Sequence, residues 1–237
     1  MFIMLKKGNI IFTAITLIFA LIFTYTLYFR QKETVQTFAT PVSGKVFVID
    51  AGHGGIDAGA SNGDVLEKDI NLEIAHYLKA FIEEIGGVAV MTRTTDTNTA
   101  DPNRSKNISQ KKSDLEQRKN LPEKVNADIF VSIHMNKFSE SKYKGAQVFC
   151  APDSPESKAL GEIVQASLIK NADPDNTRQL KIGKSIYILK GAKVPSVLVE
   201  CGFLSNPEEL KLLQTENYRQ KIAWAIFMGL TEYLADK

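Results

Sequence analysis

Cysteine is nearly missing from this chain. Two residues, Cys150 and Cys201, stand among 237. Two thiols make no disulfide framework, and because both follow apolar runs they are expected to be buried and unpaired. Histidine is almost as scarce, with three, and tryptophan occurs once. An excess of charge of one sign is missing too. Lys and Arg number 29 against 27 Asp and Glu, a net charge of +2. That balance removes any general electrostatic case for nucleic acid as a partner. There are no internal repeats. The dinucleotide fingerprint G-x-G-x-x-G is absent: Gly52-His53-Gly54-Gly55 is followed by Ile56-Asp57-Ala58-Gly59, and no Lys stands where a phosphate-binding loop needs one.

One long stretch lacks charge altogether. Ile10 to Phe29, "IIFTAITLIFALIFTYTLYF", is flanked by Lys6, Lys7, Arg30 and Lys32. At about 1.5 Å per residue, such a run is long enough for about 30 Å of hydrocarbon. The expectation is a transmembrane helix through residues 10–29, within an anchor or signal segment over 1–32. "TFATP" leaves cleavage open, and the basic residues at both ends orient the segment only weakly. Residues 33–44 read as a linker. The remainder, 45–237, is enough for one core in a chain that is 44% hydrophobic.

Within 45–237, apolar runs of strand length alternate with helical patterns. Strands are expected at Val46–Asp50, Val88–Arg93, Ile129–His134, Ala146–Ala151, Ser185–Leu189 and Ser196–Cys201. Leu66, Ile70, Ile74, Leu78, Ile82 and Ile85 recur at helical spacing, and Gly86-Gly87 ends the pattern. Further helices are expected near Asp114–Asn126, Pro155–Lys170, Pro207–Leu213 and Glu216–Leu234, the third with Ser205-Asn206 as cap. This order predicts an α/β fold: a mixed, mostly parallel sheet of about six strands, with helices on both faces. The runs Ile129–His134 and Ala146–Ala151 leave no room for a helix between them, which suggests an antiparallel pair. Thr94 to Ser113 is a long polar loop, to be read as a lid, a partner-docking loop, a tolerated insertion or a disordered surface loop.

Four residues invite chemistry. His53 follows the first strand inside a glycine turn, where a lone histidine is as a rule structural. Glu67 opens the first helix, where it could complete a capping box with Asp64. His134 ends the third strand, and Glu200 ends the last, where a carboxylate after Val197-Leu198-Val199 is costly to bury without a partner. In open α/β sheets ligands bind at the carboxyl ends of strands, so two of three histidines converge on one edge. His76 sits mid-helix and reads as a surface or packing residue. Two histidines and a carboxylate can hold a zinc ion with an open position, and a further carboxylate can act as base. Spacing alone does not say which carboxylate is which.

In these segments the chain resembles the zinc-dependent N-acetylmuramoyl-L-alanine amidases of the type-3 amidase family. The resemblance runs from about Lys45 to Leu234, through "VIDAGHGGIDAGA", "LEKDINLEIA", "MTRTTD", "LEQRKNLPEKVNADIFVSIHMN", "GAQVFC" and "VPSVLVECGFLSNPEE", in the family's order. It implies that His53, Glu67 and His134 hold one Zn2+ per chain, that Glu200 is the catalytic carboxylate, and that Arg93, Arg118 and Asn136 lie where substrate is contacted. The implied reaction is hydrolysis of the amide between the lactyl group of N-acetylmuramic acid and L-alanine in peptidoglycan. The arrangement of an anchor and one catalytic domain looks like that of the sporulation amidases, which prepare spore-cortex peptidoglycan for muramic-δ-lactam formation and later germination. A membrane-anchored or secreted enzyme, extracytoplasmic and in the developing spore envelope, would follow. Two other readings compete: a stem-peptide carboxypeptidase, and a non-catalytic wall-binding module. A protein partner that raises metal affinity is a further expectation, since no control element is evident.

Overall fold

The computed structural model describes the backbone of residues 7–30 and 40–237, and the chain divides into two units, 1–39 and 40–237. The first unit contains one helix, α1 (Lys7–Arg30). Its described side chains are residues 11–26, short of both ends of the charge-free run. Among the described residues no helix is long and apolar enough to cross a membrane, so the expected span over 10–29 finds no support here. Residues 31–39 of the expected anchor and linker lie outside the described residues. Residues 40–44 belong to the second unit instead of linking to it. Val42 is fully buried, Thr40 Oγ1 donates to the Ile85 carbonyl, and Gly44 N donates to the Gly86 carbonyl.

The second unit is an α/β fold around a six-stranded mixed sheet. Its strands, in chain order, are β1 (Val46–Ala51), β4 (Val88–Met91), β5 (Ile129–Asn136), β6 (Gln147–Cys150), β7 (Lys181–Ile182) and β8 (Ser196–Phe203), while β2 (Ser61–Asn62) and β3 (Val65–Leu66) form a separate small hairpin. The spatial order is β4-β1-β5-β8-β6-β7. β4, β1, β5 and β8 run parallel, β6 is antiparallel to β8, and β7 is parallel to β6.

The helices are α2 (Glu67–Glu84), α3 (Gln110–Lys124), α4 (Pro155–Asn171), α5 (Pro207–Leu213) and α6 (Glu216–Ala235). The periodic residues of α2, Ile70, Ile74, Leu78 and Ile82, are all buried. They pack with α4 and α6 in the larger core, against Phe47, Ile49, Val131, Ile133, Val197 and Val199. The alternate residues Val48, Phe130 and Leu198 face a smaller core with Ile188 and Leu189, closed in part by Leu121 and Val125 at the end of α3. Two residues apart along a strand means the same face, and helices do cover both faces.

Three expectations are corrected. Ser185–Leu189 is not a strand. Tyr187–Leu189 is a 3-10 turn whose Ile188 and Leu189 cap the smaller core, and the sixth strand is Lys181–Ile182. A short apolar run signals burial without saying whether a strand or a turn is buried. Ala146–Ala151 holds the reversed strand, but β8 lies between it and β5, so the expected pair is not formed. Nor do β5 and β8 stop at His134 and Glu200: both continue, to Asn136 and Phe203.

Candidate metal centre and active site

β1 ends at Ala51, and the chain turns sharply to present His53. The His53 backbone is left-handed, with φ 63°, a conformation that costs a residue other than glycine or asparagine of order 1–3 kcal/mol unless its surroundings hold it. From β5, His134 reaches the same place, with ring centroids 4.9 Å apart and near-perpendicular planes. Glu67 arrives from the first residue of α2. Its Oε1 lies 2.9 Å from His134 Nδ1 and 3.3 Å from His53 Nε2. The ligand atoms of His53, Glu67 and His134 all lie within 4.8 Å of one another, as a group that could hold a metal ion.

Two glycines make this approach possible. A Cβ on Gly52 would stand 2.4 Å from the His134 ring, and a Cβ on Gly59 would stand 2.5 Å from Glu67 Oε2 and 2.6 Å from His53 Cδ2. Because Gly52 backs the Nε2 edge of His134, that ring presents Nδ1 to the cluster. The glycines of the turn leave room for side chains of the site itself.

Glu67 does not cap its helix. The N-cap is Leu66, without a side-chain cap, and the Glu67 carboxylate accepts from Ala60 N at 2.7 Å and Met135 N at 3.0 Å. The capping-box expectation with Asp64 is therefore wrong: the carboxylate reaches across to β5. Burial alone would raise this carboxyl, but hydrogen bonds from His134 and His53 outweigh it and hold it far below the usual range. For His134, burial would lower the imidazole, and Glu67 more than reverses that.

Glu200 stands opposite His134 in the β5–β8 register. Its Oε2 is buried with no hydrogen-bond partner among the described residues. Burial pushes its carboxyl up to about 7; the charge of His134 opposes the shift and that of Glu67 adds to it. A cavity of about 220 Å3 opens beside the cluster, lined among others by His53, Asp57, Lys111, Arg118, His134, Tyr187 and Leu198.

The other residues expected in the site stand around it. Arg93 and Arg118 are 4% and 2% exposed. Their guanidinium groups donate to main-chain carbonyls of the His53 turn, and Arg118 also borders the cavity beside the cluster. Burial and the neighbouring Arg118 charge push Arg93 down. For Arg118, burial is outweighed by Asp50 and Asp114, and the guanidinium is raised. Asn136 ends β5 half-buried, its carbonyl accepting from Leu204 N. His76 is exposed on α2 and contacts the Thr94 carbonyl.

Three partners escape a reading of the sequence. Asp57 Oδ1 lies 3.2 Å from His53 Nδ1, Asn71 Nδ2 donates to the Gly52 carbonyl at 3.1 Å, and Asp50 is buried under the turn. Asp57 follows His53, and Asn71 follows Glu67, by four residues, which was the available signal. The polar loop from Thr94 is no loose insertion either. Asp96 accepts from Gly55 N and from Lys68 Nζ, and Thr99 donates to Asp114 at the start of α3.

Comparison with known proteins places the chain in a family. The family model described as N-acetylmuramoyl-L-alanine amidase matches residues 47–232. The germination-specific N-acetylmuramoyl-L-alanine amidase of Bacillus subtilis (strain 168) is 36% identical over 218 residues, 92% of this chain and 91% of that one. The amidase LytC of the same organism is 32% identical over 86% of this chain and 38% of its own length. Among solved structures, the CwlD amidase from Clostridioides difficile, in complex with the GerS lipoprotein, superposes with a TM-score of 0.78 at 44% identity, covering 82% of this chain and 100% of that one. A match that spans almost the whole second unit shows that the chain belongs to the N-acetylmuramoyl-L-alanine amidase family and hydrolyses peptidoglycan as one of its members.

Proposed function

We propose that this amidase is zinc-dependent, with His53, Glu67 and His134 holding one Zn2+ and Glu200 acting as the catalytic base. Two imidazoles and a carboxylate suit zinc, and three protein ligands leave a position open. Gly52 and Gly59 leave room for the donors to converge. Bound there, the ion supplies Lewis acidity toward the amide carbonyl and toward a water. The observation that carries the reading is the orphaned, buried Oε2 of Glu200, in register with His134 and raised to about 7. A carboxyl poised near neutrality can take a proton and give it back. Glu200 accepts a proton from the attacking water as the new C–O bond forms at the lactyl carbonyl. It then donates that proton to the nitrogen of L-alanine as the C–N bond breaks. Glu67, held far below the usual carboxyl range, is a poor proton carrier and a good ligand.

The test is metal content and product analysis together. Glu200→Gln is expected to keep zinc and lose turnover, while His53→Ala loses zinc. Loss of stoichiometric zinc from Glu200→Gln, with Glu67→Gln keeping both, would reverse the carboxylate assignment. Mass spectrometry of digested peptidoglycan is expected to show free lactyl ends and whole released stem peptides. Shortened peptides would mean a carboxypeptidase, and zinc-loaded protein that binds without cutting would mean a binding module.

The finer reading is action on spore-cortex peptidoglycan, outside the cytoplasm. It is supported by the name of the germination-specific relative and the likeness to CwlD. Spores of a deletion strain are expected to lack muramic-δ-lactam. The charge-free run 10–29 supports a membrane anchor; recovery of the protein from the soluble fraction after cell lysis would overturn it. A lipoprotein partner is suggested by the GerS complex of CwlD, and full zinc loading and activity of this chain alone would exclude a required activator.

A further inference from the structure

The mechanism leaves two buried cations unused. Arg118 and Arg93 converge from α3 and the end of β4 on one short stretch of main chain. Arg118 Nη1 donates to the Ala51 carbonyl at 2.7 Å and Nη2 to the His53 carbonyl at 2.6 Å. Arg93 donates through Nε to the Ala51 carbonyl at 2.9 Å and through Nη2 to the Gly52 carbonyl at 3.1 Å. Three successive carbonyls of the His53 turn are thus gripped by two guanidinium groups.

Arg118 is itself aimed from two sides. Asp114, one helical turn before it, holds Nε at 2.7 Å, and Asp50 holds Nη1 at 2.9 Å. Asp50 is fixed in turn by Ser132 Oγ at 2.6 Å and Thr92 Oγ1 at 2.8 Å. Burying like charges side by side is unfavourable for stability alone. A salt bridge between Asp50 and Arg118 would need neither Arg93 nor the main-chain carbonyls. The gripped segment is the one with the left-handed, non-glycine backbone at His53, which needs surroundings that hold it. The planar fork of arginine, with donors in fixed directions, can reach Asp50, Asp114 and two carbonyls at once, and a lysine cannot.

We propose that Arg118 and Arg93 are positioning residues that clamp the Ala51–His53 turn and so deliver His53 Nε2 to Glu67 and His134. They act through the main chain of the turn and touch neither substrate nor the reacting atoms. The inference rests on the reading of His53 as a metal ligand.

The test is zinc affinity of the full chain, measured by chelator competition, in Arg118→Lys and Arg93→Lys. Each keeps a positive charge and loses the fork. The expected result is a fall in affinity of about 10- to 100-fold, the range for groups that orient a metal ligand. KM measured at saturating zinc is expected to stay within about twofold of the unaltered chain. Leu168→Ala, in the larger core on α4, serves as the control: it lowers the melting temperature while zinc affinity stays at the original value. Unchanged affinity in both arginine variants, with only a lower melting temperature, overturns the clamp. A raised KM with unchanged affinity overturns it in favour of substrate contact. If His53→Ala also keeps full zinc affinity, the ligand reading itself has failed. If His53→Ala weakens zinc and the lysine variants do not, only the clamp has failed.

Discussion

At the scale of single residues the proposed chemistry turns on Glu200. Its carboxyl is raised to about 7 chiefly by burial, so below that pH it carries a proton and cannot serve as base. The acid limb of the kcat profile is expected to follow this group, modulated downward by any cation nearby. Glu200→Gln should lower kcat by roughly 10²–10⁴-fold and remove that limb. A steady-state pH profile of both proteins checks this. The linkage has a definite sign: a carboxyl raised in the fold contributes stability fully present below its unfolded value, and that stability is lost as pH rises through about 7. Gly52 is the second decisive residue. Gly52→Ala puts a Cβ 2.4 Å from the His134 ring, so the ring must move. Zinc affinity should drop about 10-fold or more, the scale of a mis-oriented ligand, measurable by competition with a chromophoric chelator. The two thiols are both free and buried, as their apolar neighbours imply, and added reductant should leave the melting temperature unchanged.

Elements explain where those residues stand. α2 reads from its sequence because its apolar period is long: Ile70, Ile74, Leu78 and Ile82 face the larger core. Ile74→Ala should cost about 2–5 kcal/mol in denaturant unfolding, the usual range for a buried isoleucine. The start of α5 is legible too. Asn206 Oδ1 accepts from Glu208 N and Glu209 N, and Asn206→Ala should cost about 1 kcal/mol. Other elements were not legible. Glu67 at the head of α2 has the spacing of a capping box and takes partners from the loop before it and from β5 instead. The apolar residues of 185–189 are buried, yet as a turn over the smaller core. In each case the local pattern reports burial or polarity, and a partner distant in sequence decides the conformation. The polar loop after β4 shows the same. Its Asp96 looks like a surface charge, but it ties Gly55 and Lys68 together beside His53.

At the scale of the whole molecule, the catalytic unit carries its own core. Its packing draws on 40–237, beginning with Val42. A chain shortened to 40–237 should therefore unfold at the same midpoint in urea as the full chain, and a shift of the midpoint would show that the N-terminal helix contributes to the fold. The amino-acid order by itself determined a great deal: an α/β alternation, the helices and most strands, buried thiols, and two histidines and one carboxylate near the carboxyl ends of strands, with a second carboxylate at the head of a helix. Those features are local, carried by period, run length and turn residues. Only the tertiary structure decided that β8 lies between β5 and β6, which sets Glu200 beside His134. Only it turned Arg93 and Arg118 inward onto the His53 turn, and gave Gly52 and Gly59 their reason. Strand neighbours and buried hydrogen-bond partners are fixed by contacts between segments far apart in the chain. No local pattern encodes those contacts, because each exists only once the core has brought its segments together.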